Sequence, residues 1–425
     1  MTTEANGTTA DHGLPEVATD LASAAEPAPT YPFPAECPFQ LPPALAHLRR
    51  TAPVARVQLS TGAPAYLMSS YQHVREVLTD ERFSRRPVRA RAVDAPTGGR
   101  PGTAASAFDF GLFIADPADH ARWRRHVNQV FNVRQAEAMR PQVGQIVEDL
   151  LDELRTNPSP VDLMEQFAFR LPLHVLYALF EVPDDLRVAF AQWAASLRAG
   201  GASMEAFGAA MARLHGAAVE LVATRRARPS DGPLSQLIHA ADGYSDTDLV
   251  ATVLLLTIAG YETVAAQIGN GLLALFQHPA ELGRLRSGAV PVATAVEEIL
   301  RYAQASTGFA GMTYASCDVT VADVVVPAGA AVFVSIDAAG RDERRMPDPE
   351  SFDLTRGSAN SHLTFGAGAH FCLGAPLARV ELQESFSRLF RRFPDLALAY
   401  PVTEVAMTSN RFNRLPARLE VRLHP

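Results

Sequence analysis

Residues 364–376 read Thr-Phe-Gly-Ala-Gly-Ala-His-Phe-Cys-Leu-Gly-Ala-Pro, and no other stretch restricts the possible folds so tightly. Cys372 ends a loop punctuated by Gly366, Gly368 and Gly374, directly ahead of an amphipathic helix predicted over 377–393. Glycines at these places supply backbone of positive φ and let main chain lie close to something flat and bulky. Pro376 suits the first turn of the following helix, where its missing N–H costs nothing. Cys372 therefore faces the positive end of a helix dipole, which lowers a thiol's pKa and favours the thiolate. A lone cysteine is more often inert core, and a lone Gly-x-Gly is a weak signal, here without the preceding strand of a dinucleotide loop. Taken together, the residues describe a thiolate in a dry glycine loop, suited to act as a metal ligand or a nucleophile.

The spacing Phe365-x-x-Gly368-x-His370-x-Cys372-x-Gly374 resembles the haem-binding loop of the cytochrome P450 family at every defining position. The resemblance covers about residues 31–425. It implies a mainly α fold with small β-sheets, one triangular domain over 31–425 behind a disordered tail of residues 1–30. Haem b (iron protoporphyrin IX) would lie between a central helix and the cysteine loop. Cys372 would ligate the iron, with Phe365, Gly366, His370 and Gly374 around the cofactor.

Composition is compatible with such a protein. The chain has 425 residues and a net charge of −8, and all 38 permanently cationic side chains are arginine, with no basic run to attract nucleic acid. Three scattered cysteines, Cys37, Cys317 and Cys372, are too few for a disulfide framework and indicate a reducing compartment. No Cys-x-x-Cys-His string is present, so a haem would be held without thioether bonds. Residues 1–30 lack the basic and apolar regions of a signal peptide, and the longest apolar run, 250–260, is too short to span a bilayer. A soluble, cytoplasmic, monomeric protein is expected.

Along the chain, 43–51 reads as a helix, 54–59 and 65–68 as the arms of a hairpin, and 71–78 as a further helix. Residues 85–115 form a long loop, a length that usually marks function or disorder. Its Phe108, Phe110 and Phe113 are packing anchors or part of a substrate pocket. Asp116-Pro117 then starts a helix on which His120 and Arg124, four apart, share a face. By default that is a solvated basic face; the resemblance makes the two residues holders of a haem propionate, a carboxylate that arginine suits. Residues 143–225 are helical almost throughout, broken at Pro158, Pro160, Pro183 and Gly200-Gly201, with Pro172 near the start of a helical segment.

The longest helical run is 246–277, centred on Ala259-Gly260-Tyr261-Glu262-Thr263. Gly260 inside a helix costs about 1 kcal/mol relative to alanine, which a flat ligand against the backbone would offset. Thr263 could simply bond back to the preceding turn, and Glu262 could sit in an ion pair. The family's oxygen-activating helix has the same string, which implies a proton relay through Glu262 and Thr263 and a cofactor face at Ala259 and Gly260. Leu255, Leu256 and Ala259 would border the substrate. A Glu-x-x-Arg pair, Glu298 and Arg301, is alone no more than a surface ion pair. The resemblance makes it a buried brace, with Arg356 as partner.

After Tyr302 the chain reads as β-rich: a strand over 319–326, a turn at Pro327-Ala328-Gly329, and a strand over 331–336. Many family members carry a propionate-binding arginine just before these strands. Here no basic residue occurs between Arg301 and Arg341, and Met312 and Thr313 occupy the position. Phe309, in an otherwise small-residue bend, and Met407, between short strands of the 396–425 segment, are further candidates for the pocket; Thr408 and Phe412 lie beside Met407.

The implied activity is a haem-thiolate monooxygenase that uses O2 to oxidise a hydrophobic small molecule, a secondary metabolite. Electrons would come from a separate ferredoxin or flavodoxin-type partner, because no flavin or iron–sulfur segment is present. Peroxide-driven oxidation, oxidative coupling of aromatic or peptidic substrates, and a non-catalytic haem sensor start from the same loop.

Overall fold

The computed structural model describes residues 28–34, 39–85, 117–198, 203–240, 244–305, 312–357, 361–409 and 413–423. The expectations for the tail 1–27, for Phe110 and Phe113 in the long loop, and for Phe309 and Phe412 lie outside them.

The helical part of the fold packs around one helix, Asp246–Gln277. A capping box sets its start: Ser245 Oγ accepts from the Asp248 N–H at 3.2 Å, and the Asp248 carboxylate accepts from the Ser245 N–H at 2.9 Å. Two donors that a helix start leaves over are thereby satisfied. Every residue from 264 to 275 is buried, so this half has no polar face and belongs in a core. Gly269 and Gly271 both mark close approaches, Gly269 to Met164. A Cβ at Gly271 would stand 2.6 Å from Phe386 Cζ and 2.8 Å from Ile299 Cγ2. Two buried amides fix the helix axially: Gln267 donates to the carbonyls of Ile299 (3.3 Å) and Ala303 (3.1 Å), and Asn270 to those of Gln304 (3.3 Å) and Arg414 (2.9 Å). The apolar run 250–260 understates this element, which by length and composition could cross a bilayer; half of its most apolar window is buried inside the fold, as in a core helix.

Helices Arg170–Phe180, Met204–Ala227, Pro279–Arg286, Val292–Tyr302 and Ala375–Arg392 pack against it, and Val133–Thr156 packs on two of these, Arg170–Phe180 and Ala375–Arg392. Helix Pro117–Val130 is held to the centre by Trp123 Nε1, which donates to Thr252 Oγ1 at 3.1 Å. The predicted helical stretch 143–225 also contains a two-residue strand, Val161–Asp162, and a π-turn, Met164–Ala168. That strand pairs with Glu420–Arg422, far along the chain, so no local pattern announces it.

A six-stranded sheet lies to one side, in the order Thr30–Tyr31, Val54–Leu59, Pro64–Met68, Ala331–Val334, Thr313–Ala315, Phe83–Ser84. The predicted strand 319–326 is instead a tight hairpin, Val319–Val321 against Val324–Val326, reversing at Ala322 with φ +51°. The strand after it stops at Val334, because Ser335 caps a short helix by accepting from the Ala338 N–H at 3.2 Å. Met407 lies within a strand, Met407–Ser409, paired with Arg414–Pro416, rather than between strands.

Glu298 and Arg301 are both fully buried, joined by two 2.7 Å hydrogen bonds from Arg301 Nε and Nη2. Arg356 Nε reaches the same carboxylate at 3.3 Å, and the Asp353 N–H donates to it at 3.0 Å. The remaining Arg301 hydrogens go to the carbonyls of Gly340, Pro349 and Ser351. A fully satisfied buried network of this kind is costly to halve. Replacement Glu298→Ala is expected to cost about 3–5 kcal/mol, read as a lower unfolding midpoint in urea; an unchanged midpoint contradicts it.

Glu381, in helix Ala375–Arg392, is buried, and burial pushes its carboxyl from the ordinary 4.5 up to about 8. The folded group holds its proton more tightly than the unfolded one. Its stabilising effect is therefore complete below about 4.5 and is lost as pH rises through about 8. Glu381→Gln should flatten the decline in melting temperature between pH 6 and 9 relative to the parent chain; parallel curves would refute this.

Candidate active site

The cysteine loop is shaped by two glycines of positive φ, Gly366 (+75°) and Gly368 (+69°). Gly368 is doubly constrained, since a Cβ would meet the Leu78 carbonyl oxygen at 2.5 Å. Gly374 departs from the expectation: it has φ −78° and serves as the N-cap of Ala375–Arg392, where an added Cβ would touch Cys372 Sγ at 3.9 Å. Pro376 occupies the first turn of that helix. The Cys372 N–H donates to the Phe365 carbonyl at 2.8 Å and closes the loop. Arg379 lies 4.6 Å over the Phe365 ring and pairs with Glu297 at 2.6 Å. Glu297, held down to about 2 by His362 and Arg379 against its own burial, also meets His362 Nε2 at 3.2 Å. The loop is thus fastened to helix Val292–Tyr302.

Cys372 is open at its surface yet set deep among other atoms. Burial pushes its thiol up; the N–H groups of Gly374 and Ala375 and the charges of Arg124 and Arg379 pull the other way. Burial wins, which corrects the expectation that the helix start alone favours a thiolate. A bound cation would reverse this, because a coordinating thiol is deprotonated outright. Among the described residues no group of three or more His, Cys, Asp or Glu could hold a metal.

His120, 3% exposed, lies against His370 with ring centroids 4.1 Å apart. Arg124, one turn along from His120, donates to the Phe371 carbonyl at 2.6 Å. Burial pushes both imidazoles down, His370 to about 3, and Arg85 and Arg124 add to the effect, so both rings are neutral at pH 7. His120 Nε2 is buried with no hydrogen-bond partner among the described residues. Two guanidiniums and two imidazoles near one place, one nitrogen still unsatisfied, match the acidic edge of a haem. Arg85 belongs to this group although sequence reasoning placed it only at the start of a loop.

On the central helix, Ala259 and Thr263 are exposed one turn apart, next to residues that are wholly buried, while Gly260 and Glu262 are half-buried. A Cβ on Gly260 would meet only Leu176 at 3.6 Å, an ordinary contact, so protein packing does not itself require glycine there. Thr263 Oγ1 donates to the Ala259 carbonyl at 2.6 Å, the back-bond to the preceding turn. Glu262 Oε2 accepts from Asn413 Nδ2 at 3.0 Å. Asn413, 2% exposed, has no sequence signal that would have nominated it. Leu255 and Leu256 border the same apolar cluster as Leu373 of the cysteine loop, so the two elements share one wall. Met407 is half-buried and packs against the main core beneath the last hairpin.

The family model described as Cytochrome P450 matches residues 290–407. Among curated proteins, the Vitamin D(3) 25-hydroxylase of Pseudonocardia autotrophica is 36% identical over 90% of this chain and 94% of its own. The mycinamicin IV hydroxylase/epoxidase of Micromonospora griseorubida is 34% identical over 94% of this chain and 99% of its own. The crystal structure of the LnmA cytochrome P450 hydroxylase from the leinamycin pathway of Streptomyces atroolivaceus superposes with a TM-score of 0.84 at 33% identity, covering 93% of this chain and all of that one. With its fold, its cysteine loop and its relatives in agreement, the chain belongs to the cytochrome P450 family.

Proposed function

We propose that this P450 monooxygenase uses O2 to oxidise a hydrophobic secondary metabolite, with haem b on Cys372 and electrons from a separate ferredoxin or flavodoxin-type donor. The observation that carries the reading is the pairing of a deep thiol with a cationic, partly unsatisfied corner at His120 and His370. When bound, haem supplies oxygen activation and hydrogen abstraction, and a thiolate ligand favours O–O cleavage. The chain's own residues do the rest.

His120, Arg124 and His370 would hold the acidic edge of a bound haem. Thr263 gives its hydroxyl hydrogen to Ala259, which leaves its oxygen as an outward acceptor able to hold a proton-donating water. Glu262, steadied at one oxygen by Asn413, is the neighbouring acid that resupplies that proton. Leu255, Ala259 and Met407 are the described part of an apolar lining that turns the substrate and keeps bulk water out. The relatives' activities, on vitamin D(3) and on mycinamicin IV, favour a bulky, mostly apolar substrate.

The purified, reduced protein treated with carbon monoxide should show the red-shifted Soret band of thiolate ligation, and Cys372→Ala should abolish it. A colourless protein, or a variant with the parent spectrum, would remove the haem-thiolate reading. With a turned-over substrate in hand, Thr263→Ala is expected to lower product formed per electron consumed on the order of 10²-fold while leaving that band intact. Equal coupling in parent and variant would exclude the relay.

A further inference from the structure

We infer that Arg85 supplies the propionate-binding cation that this chain lacks on its own strand at Thr313. The inference rests on the haem reading above and adds a residue to it. Strand Phe83–Ser84 pairs antiparallel with Thr313–Ala315, with Phe83 opposite Ala315 and Ser84 opposite Tyr314. The next residue, Arg85, therefore stands beside Thr313, the position from which many family members send an arginine towards the cofactor. Two further bonds lace the segments together at this spot. Thr313 Oγ1 donates to the Ser84 carbonyl at 2.9 Å, and Arg85 Nη1 donates to the Met312 carbonyl at 3.4 Å.

Arg85 is half-buried, and that burial lowers its pKa. Its charge acts on both His120 and His370, whose tilted rings lie 4.1 Å apart between centroids. Arg124 acts on the same two rings from helix Pro117–Val130. The corner thus receives one cation from each of two elements, and His120 Nε2 is buried there without a described partner. A pair of carboxylates completes such a set, because charge-assisted bonds to guanidinium are the strongest hydrogen bonds a side chain makes. Arginine has in effect moved across the strand pair, from the middle strand to the edge strand, with its head in the same place. Arg85 is a positioning residue: it fixes the ring through its acidic edge and does not touch the reacting atoms.

The test compares the full chain loaded with haem and the full chain loaded with haem dimethyl ester, whose propionates carry no charge. The readout is the rate at which each ring is lost to apomyoglobin. The parent should hold the diacid more tightly than the ester. Arg85→Ala is expected to shrink that preference about 10- to 100-fold, Arg85→Lys to keep part of it, and adding Thr313→Arg to Arg85→Ala to restore it. Where the alanine variant fails to fold, Arg85→Gln gives the same comparison. An unchanged preference, or equal losses for diacid and ester as a purely structural role would give, overturns the assignment. If the parent holds neither ring, the haem reading itself falls, and this inference with it.

Discussion

Burial of the central helix on all sides between 264 and 275 governs where the elements around it stand. A helix without a polar face must be walled in completely, and five helices do so, with Gly271 admitting Phe386 and Ile299 to the helix backbone. The two amides within this stretch, Gln267 and Asn270, bond to carbonyls at the end of helix Val292–Tyr302 and in the last hairpin. The same helix therefore sets the height of both the cysteine side and the hairpin side of the site. Just before the buried stretch the wall opens, at Ala259 and Thr263. The opening is chemically useful because the helix around it cannot shift without breaking its core.

Two groups of buried charge show the difference between support and function. Around Glu298, each guanidinium hydrogen that points inward finds an oxygen, and the carboxylate is shared by Arg301, Arg356 and a backbone N–H. Such a network is complete and holds the chain ahead of the cysteine loop in place. Around His120 the account is left open: cations gather, both imidazoles are neutral, and a buried nitrogen has no described partner. Buried polar atoms of native proteins are seldom left so, and a carboxylate-bearing ligand is the simplest completion. Cys372 follows the same logic from the opposite sign, since its desolvated thiol is disfavoured as an anion until a cation reaches it.

Much of this was legible in the chain because the informative residues lie close together along it. His120 with Arg124, Glu262 with Thr263, and Glu298 with Arg301 are each spaced within one helical turn, so periodicity places them before any fold is known. The helix 246–277 could be read to its ends, since its start carries a capping serine and an acidic residue three positions on. The conformation of Gly374 was misread, because a glycine can serve as an N-cap in ordinary helical backbone as readily as in a positive-φ turn. Residues 319–326 form a hairpin where the pattern predicts one strand, since a turn of alanine and aspartate carries none of the usual glycine signal.

Residue identity and local spacing thus determined Cys372 and its glycine loop, the central helix and the family resemblance they carry. Tertiary structure alone decided which distant groups join them: Arg85 arrives through a strand pair spanning 229 residues, and Asn413 reaches Glu262 across 151. It also decided the state of the groups, as with Cys372, where depth outweighs the helix start, and Glu381, where burial keeps a carboxyl protonated. The physical reason is common to both. Pairing partners and desolvation depend on what other parts of the chain bring near a residue, and no local pattern carries that information.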